Sequence, residues 1–300
     1  MNRPTFMPKE PLFYDIIHNQ KRKKGVNHMI KTAAIVSLFA AATFAGPTAE
    51  NGITAHRGDS LAHPQNSLEA FSSANDVGAD WIETDVRLTS DGVIVIIHNA
   101  DTKAYCSVNK EIKSTTYAEL CELDMAETFR AEHKLTLEQC PKLRIARLDE
   151  ALDLILKERK ARLSIQPKCD CVKQVLDLVR QKGAVEWVGF NDSSARLMSQ
   201  AKRGEPSVPI FWDRYKSDLS KDIPFAKERG FETIVMHNGD ATPENVKMLH
   251  DAGFKVGVWT VNRPKDLERF LDMGVDRIYT DDPATLKKIK ARQRNGVVAP

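Results

Sequence analysis

The sequence predicts an α/β protein folded as a (β/α)8 TIM barrel, and three observations carry that prediction. From residue 149 to residue 279 short apolar runs alternate with helical stretches of about 10 to 15 residues, the rhythm of βα units joined into a parallel sheet. Nine runs read as strands, and Ser90-Asp91-Gly92 between two of them is a hairpin signal, so one run folds back beside its neighbour and eight remain for a barrel. Finally, His56, Glu83, Asp85, Gln166, Trp259 and Asp281 all fall at or just beyond the carboxyl ends of such runs. That is the face on which barrels of this kind carry their chemistry.

In chain order, 52–55 (GITA) is the first strand. Residues 66–77 are helical because Leu68, Phe71, Ala74 and Val77 recur at helical spacing, and Gly78 closes the helix. Residues 79–88 form the second strand. Alternate strand residues share a face, so Glu83 and Asp85 point the same way. The hairpin returns as a strand over 93–98, ending at His98. Residues 101–146 break the rhythm: they are polar, carry Cys106, Cys121 and Cys140, and show only weak helical stretches such as 117–123. They read as a small insertion over one end of the barrel. Regular alternation then resumes, with helices at 149–160, 172–181, 193–202, 224–229, 243–252 and 264–273. The strands between them are 162–166, 186–190, 208–212, 232–236, 255–261 and 276–279.

The barrel is expected over 46–300, preceded by a leader at 1–45. Met29-Ile30-Lys31 stands before an apolar run at 32–44 that ends in small residues, the layout of a secretory signal peptide. The run is too short to span a bilayer well as an anchor. Residues 1–28 are long for a charged leading region, so either translation starts at Met29 or the leader is unusually extended. A periplasmic or secreted protein follows. Residues 1–45 hold seven Lys/Arg and two Asp/Glu of the chain's 44 and 41, so the remainder is acidic by two and its charge gives no support for nucleic-acid binding. No membrane span is indicated after residue 50. In an exported protein Cys106, Cys121 and Cys140 have the means for one disulfide, with the pair left open. Cys169-Asp170-Cys171 is too tight for a bridge of its own, and no second cluster completes a zinc site.

Two carboxylates held as close as Glu83 and Asp85 repel unless a cation lies between them, and a hard divalent ion with oxygen ligands is the natural occupant. His56 and His98 titrate near neutrality and move protons. Arg57, next to His56, suits a phosphate. A metal, an arginine and two histidines together supply what hydrolysis of a phosphate ester needs. No P-loop, GxGxxG or GxSxG pattern is present, which argues against nucleotide handling and serine hydrolysis.

One ordered series of motifs covers this region: His56-Arg57-Gly58, Pro64-Gln65-Asn66-Ser67, Ala70-Phe71, Gly78-Ala79-Asp80, Ile82-Glu83-Thr84-Asp85-Val86, Thr89-Ser90-Asp91-Gly92 and His98, with echoes as far as Asp281-Asp282-Pro283. The series resembles the glycerophosphodiester phosphodiesterase family. The resemblance implies release of glycerol 3-phosphate and an alcohol, such as choline or ethanolamine, from a small-molecule phosphodiester. It implies His56 and His98 as the acid–base pair, and Glu83 and Asp85 as ligands of Ca2+ or Mg2+. Arg57 and Lys168 would contact the phosphate, and Trp259 would wall the pocket or pack in the core. It also marks two departures. The family's fourth strand usually ends Glu-x-Lys with the Glu as third ligand, whereas this chain has Gln166-Pro167-Lys168. Glutamine keeps a carbonyl oxygen for the metal and removes a negative charge, with Asp170 four residues on as a substitute. The family's second histidine is usually followed by Asp, and here by Asn99. Phospholipase D-like cleavage of a lysophospholipid or sphingolipid, with an apolar pocket lined by the insertion, is one alternative. A non-catalytic phosphodiester-binding barrel is another. His63 and His237, in loops at the active end, are further substrate candidates.

Overall fold

The computed structural model describes residues 52–294, so the expected leader at 1–45 lies outside the described residues. In chain order the elements begin with β1 (Gly52–Ala55), α1 (Leu68–Val77), β2 (Trp81–Leu88) and β3 (Ile94–Ile96). Two short helices follow, α2 (Tyr117–Cys121) and α3 (Glu127–Glu132). Next come α4 (Leu148–Glu158), β4 (Arg162–Pro167), α5 (Val172–Gln181), β5 (Val188–Asp192), α6 (Ala195–Gly204) and β6 (Ile210–Arg214). The chain continues with α7 (Leu219–Arg229), β7 (Thr233–His237), α8 (Pro243–Asp251), β8 (Lys255–Trp259), α9 (Pro264–Asp272), β9 (Arg277–Thr280) and α10 (Pro283–Arg294).

Strand β1 closes the sheet. It pairs in parallel with β2 on one side and with β9 on the other, and the remaining strands complete the order β1-β9-β8-β7-β6-β5-β4-β2. The result is an eight-stranded parallel (β/α)8 barrel. As the hairpin signal implied, β3 stands outside the ring, antiparallel to β2 with Val86 opposite Ile96 and Leu88 opposite Ile94. Strand alternation sorts the side chains into two cores. Ile82, Leu163, Ile165, Phe190, Ile210, Ile234, Val256 and Ile278 face outward and pack with the helices in one cluster. Trp81, Phe211, Val235 and Tyr279 fill the barrel, with Trp81 edge-on to Phe211 at 4.9 Å. Arg277 is buried among them, its guanidinium 3.6 Å from the centre of the Phe211 ring and 4.7 Å from that of Trp81. These side chains form a solid floor beneath the site.

Boundaries shift where side chains or backbone intervene. Helix α1 starts two residues later than its periodicity suggests, because Ser67 caps it by accepting a hydrogen bond from the Ala70 amide and Asn66 takes a left-handed conformation (φ 58°). Residues Val185–Trp187 form a 3-10 turn, which delays β5 to Val188. Helix α7 begins at Leu219 and runs through Pro224, which the sequence pattern had placed at its start. Helix α10 was not anticipated, because it is mostly polar and buries only Pro283, Leu286 and Ile289. Between β3 and α4 the chain builds a small core of its own, in which Val95, Ile97, Tyr105, Ile112, Leu120 and Ile145 pack together. All five cysteines are unpaired. Among the described residues no helix is long and apolar enough to cross a membrane.

Candidate active site

The turn after β1 carries His56 and Arg57. Arg57 takes a left-handed conformation (φ 58°) that turns its amide onto Glu83, and the Arg57 N–H donates to Glu83 Oε2 at 3.1 Å. Gly58 follows at φ 86°, so close to α1 that a Cβ would stand 2.6 Å from Ala70 Cβ. Asn66, at the end of the same loop, donates from Nδ2 to Asp85 Oδ2 at 2.9 Å, and its Oδ1 accepts from the Asp85 amide at 3.2 Å. The loop thus holds both carboxylates of β2.

The two carboxylates differ electrically. Asp85 is fully buried, with Arg57 Nε at 3.3 Å and Lys168 Nζ at 3.2 Å. Burial opposes its charge, but Lys168 and Arg57 outweigh that and hold it below the ordinary carboxylate range. Glu83 is equally deep, and among the described residues its one hydrogen bond comes from the Arg57 amide. Burial and the neighbouring Asp85 charge push it up to about 7.

The histidines also differ. His56 Nδ1 lies 2.7 Å from Asp281 Oδ1, and Asp281 accepts further hydrogen bonds from Ser60 Oγ at 3.1 Å and Asn262 Nδ2 at 2.5 Å. Burial resists a charged imidazole, but Asp281 and Glu83 raise the affinity of His56 for its proton. His98 Nδ1 instead meets the neutral amide of Asn99, whose Oδ1 is 3.0 Å away. Burial lowers the pKa of His98, and Asp85 only partly restores it.

Two cavities meet at His56 and Arg57. One of about 250 Å³ adds Glu83, His98, Gln166, Lys168, Asp213 and Trp259 to its walls. The other, about 330 Å³, is walled by Gln65, Tyr105, Met125, Phe129, Glu132 and Asp281. His56, Arg57, Glu83, Asp85, His98, Gln166, Lys168 and Trp259 are therefore gathered at one barrel mouth, with Asp85 just beneath the surface of the first cavity. Asp170 is not brought there: it is exposed and pairs with Arg196 at 3.2 Å. His63 and His237 line neither cavity.

Residues 56–285 match the Glycerophosphoryl diester phosphodiesterase family. The chain belongs to that family. A glycerophosphodiester phosphodiesterase from Caldanaerobacter subterraneus is 30% identical over 238 residues, covering 78% of this chain and 95% of that one. Another from Bacillus altitudinis is 28% identical over 253 residues, covering 81% and 99%. The crystal structure of a glycerophosphodiester phosphodiesterase from Parabacteroides distasonis superposes with a TM-score of 0.68 at 26% identity, over 81% of this chain and 99% of that one.

In this phosphodiesterase several further groups contact the residues around the mouth, and sequence reasoning had given them no task. Asp281 had been placed at a strand end without a task. Arg87 continues the 83, 85 face of β2; it donates to the His98 carbonyl at 2.9 and 3.0 Å and to the Lys168 carbonyl at 3.1 Å, tying two site segments together. Gln166 donates from Nε2 to Asp213 Oδ2 at 3.0 Å, and burial pushes the Asp213 carboxyl up to about 7. Period-2 alternation was the available signal for Arg87. For Asp213, on the interior face of β6, no motif pointed to a function.

Proposed function

We propose that this phosphodiesterase hydrolyses glycerophosphodiesters to glycerol 3-phosphate and an alcohol, with a divalent cation held by Glu83, Asp85 and Gln166. The observation that supports it is Glu83: a buried carboxylate that accepts a hydrogen bond from the Arg57 amide, whose charge His56, Arg57 and Lys168 only partly offset. Glu83, Asp85 and the Gln166 carbonyl form an all-oxygen set suited to Ca2+ or Mg2+. When bound, the cation neutralises charge building on the phosphoryl oxygens.

The protein's own groups supply the rest. Arg57 and Lys168 border the smaller cavity and present positive charge to a phosphate. His98, whose burial favours the neutral ring, takes the proton of the attacking hydroxyl, which belongs to water or to the neighbouring glycerol carbon. His56, whose hold on its proton Asp281 strengthens, gives that proton to the departing alkoxide through Nε2, since Nδ1 is committed to Asp281. The larger cavity lies beyond His56 and suits the departing alcohol. Its walls include Gln65, Glu132 and Asp281 as well as Met125 and Phe129, which fits a short polar alcohol better than the acyl chain of a lysophospholipid. Export to the periplasm or medium belongs to the same proposal and rests on the sequence pattern at 29–45 alone.

The test follows glycerol 3-phosphate released from glycerophosphocholine by the full chain, stripped with chelator and then supplied with Ca2+, Mg2+ or neither. Turnover restored by metal and abolished by Glu83→Ala is the expected result. A folded protein inactive under all three conditions rejects the proposal and favours a binding role.

A further inference from the structure

Within the proposed oxygen set, Gln166 is the member able to present the wrong atom. A carboxylate has two equivalent oxygens, but an amide turned over offers N–H donors where a cation needs an acceptor. The groups behind Gln166 decide which way it faces. Ser164 Oγ donates to Asn191 Oδ1 at 2.8 Å, leaving Asn191 Nδ2 to donate to Asp213 Oδ2 at 3.2 Å. Gln166 Nε2 donates to the same oxygen at 3.0 Å. Two N–H groups converge on Asp213 Oδ2, so that oxygen is an acceptor in either protonation state of the carboxyl. Gln166 Oε1 has no hydrogen-bond partner among the described residues, and the side chain shares a cavity wall with Glu83.

We propose that Asp213 is a positioning residue for the cation site: it holds the Gln166 amide with Nε2 turned away, so that Oε1 is free to serve as the third ligand. This rests on the cation reading above. Three neighbouring strands carry this hydrogen-bond network, with Ser164 and Gln166 on β4, Asn191 on β5 and the acceptor Asp213 on β6. Asp213 is buried, 8% exposed, so its acceptor is not readily replaced by bulk water. A glutamine at position 166 then works as a ligand only with an acceptor at position 213, whereas a glutamate there needs no such help.

Calorimetric titration of the chelator-stripped full chain with Ca2+ and with Mg2+ tests this through metal affinity rather than activity. Asp213→Ala is expected to weaken binding by about 10-fold or more, the usual scale for losing a group that orients a ligand. Asp213→Asn, which keeps an oxygen acceptor, is expected to retain most of the affinity. In a Gln166→Glu background, adding Asp213→Ala is expected to cost nothing. Asp213→Leu repeats the comparison with the side-chain volume filled if the alanine variant does not fold. Equal losses in both backgrounds would mean that Asp213 supports only the barrel and would overturn the inference, as would an Asp213→Ala protein that binds like wild type. A wild-type protein that binds neither cation overturns the cation reading and the inference together.

Discussion

A histidine's place in proton transfer is set by the group on its far nitrogen, and here the two partners differ by one charge. His56 leans on the Asp281 carboxylate and His98 on the Asn99 amide. The family's usual Asp after the second histidine would narrow that difference, so under the proposed mechanism Asn99 sets the two histidines apart instead of removing one. Asp281 raises the pKa of His56, and the protonated acid therefore survives to higher pH. Asp281→Asn withdraws that support, so the alkaline limb of the kcat/KM profile should move to lower pH. The maximal rate should fall by on the order of 10²-fold, the low end for a general acid. The pH–rate profile of the variant checks this, and an unmoved alkaline limb would remove His56 from the acid role.

The element that organises the site is the loop from β1 to α1. It contains the left-handed residues Arg57 and Asn66 and the left-handed Gly58, and from it Arg57 reaches Glu83 while Asn66 reaches Asp85. The loop is pinned to α1, where the Asp59 amide donates to the Ala70 carbonyl at 2.9 Å and Ser73 Oγ donates to Asp59 at 2.7 Å. A Cβ at position 58 would meet Ala70 backbone carbon at 2.8 Å as well as its Cβ at 2.6 Å, at a φ unsuited to an L side chain. Gly58→Ala should therefore cost about 1–3 kcal/mol in urea unfolding. It should also weaken catalysis, because the loop cannot shift without carrying Arg57 with it. Stability within about 0.5 kcal/mol of wild type, the range of a neutral surface change, would show the loop to be less tightly pinned than its geometry indicates.

At the scale of the molecule, ring closure brings the two ends of the barrel together at one mouth. His56 follows β1 and Asp281 follows β9, 225 residues apart in sequence, and the parallel pairing of those strands brings them together. Helix α10 packs against β1, α1 and α9 behind that seam, with Leu286 fully covered. Leu286→Ala should cost about 2–5 kcal/mol. Calorimetry should show a single, lower transition in which phosphodiesterase activity and structure are lost together. Separate transitions would mean that the seam opens independently of the barrel.

The features legible in the chain alone are local ones. Period-2 runs at 79–88 placed Glu83 and Asp85 on one face, Ser90-Asp91-Gly92 announced the antiparallel β3, and regular alternation after residue 149 announced the barrel. Each is written in residues that are neighbours along the chain, where side-chain periodicity and turn chemistry act directly. Which side chains become partners across the barrel is decided by closure and register, and no local pattern records it. Asp281 beside His56, Asp213 behind Gln166 and Asn66 under Asp85 became visible only in the tertiary structure. Helix α10 escaped for a related reason: its few apolar residues gain meaning only from the seam they cover.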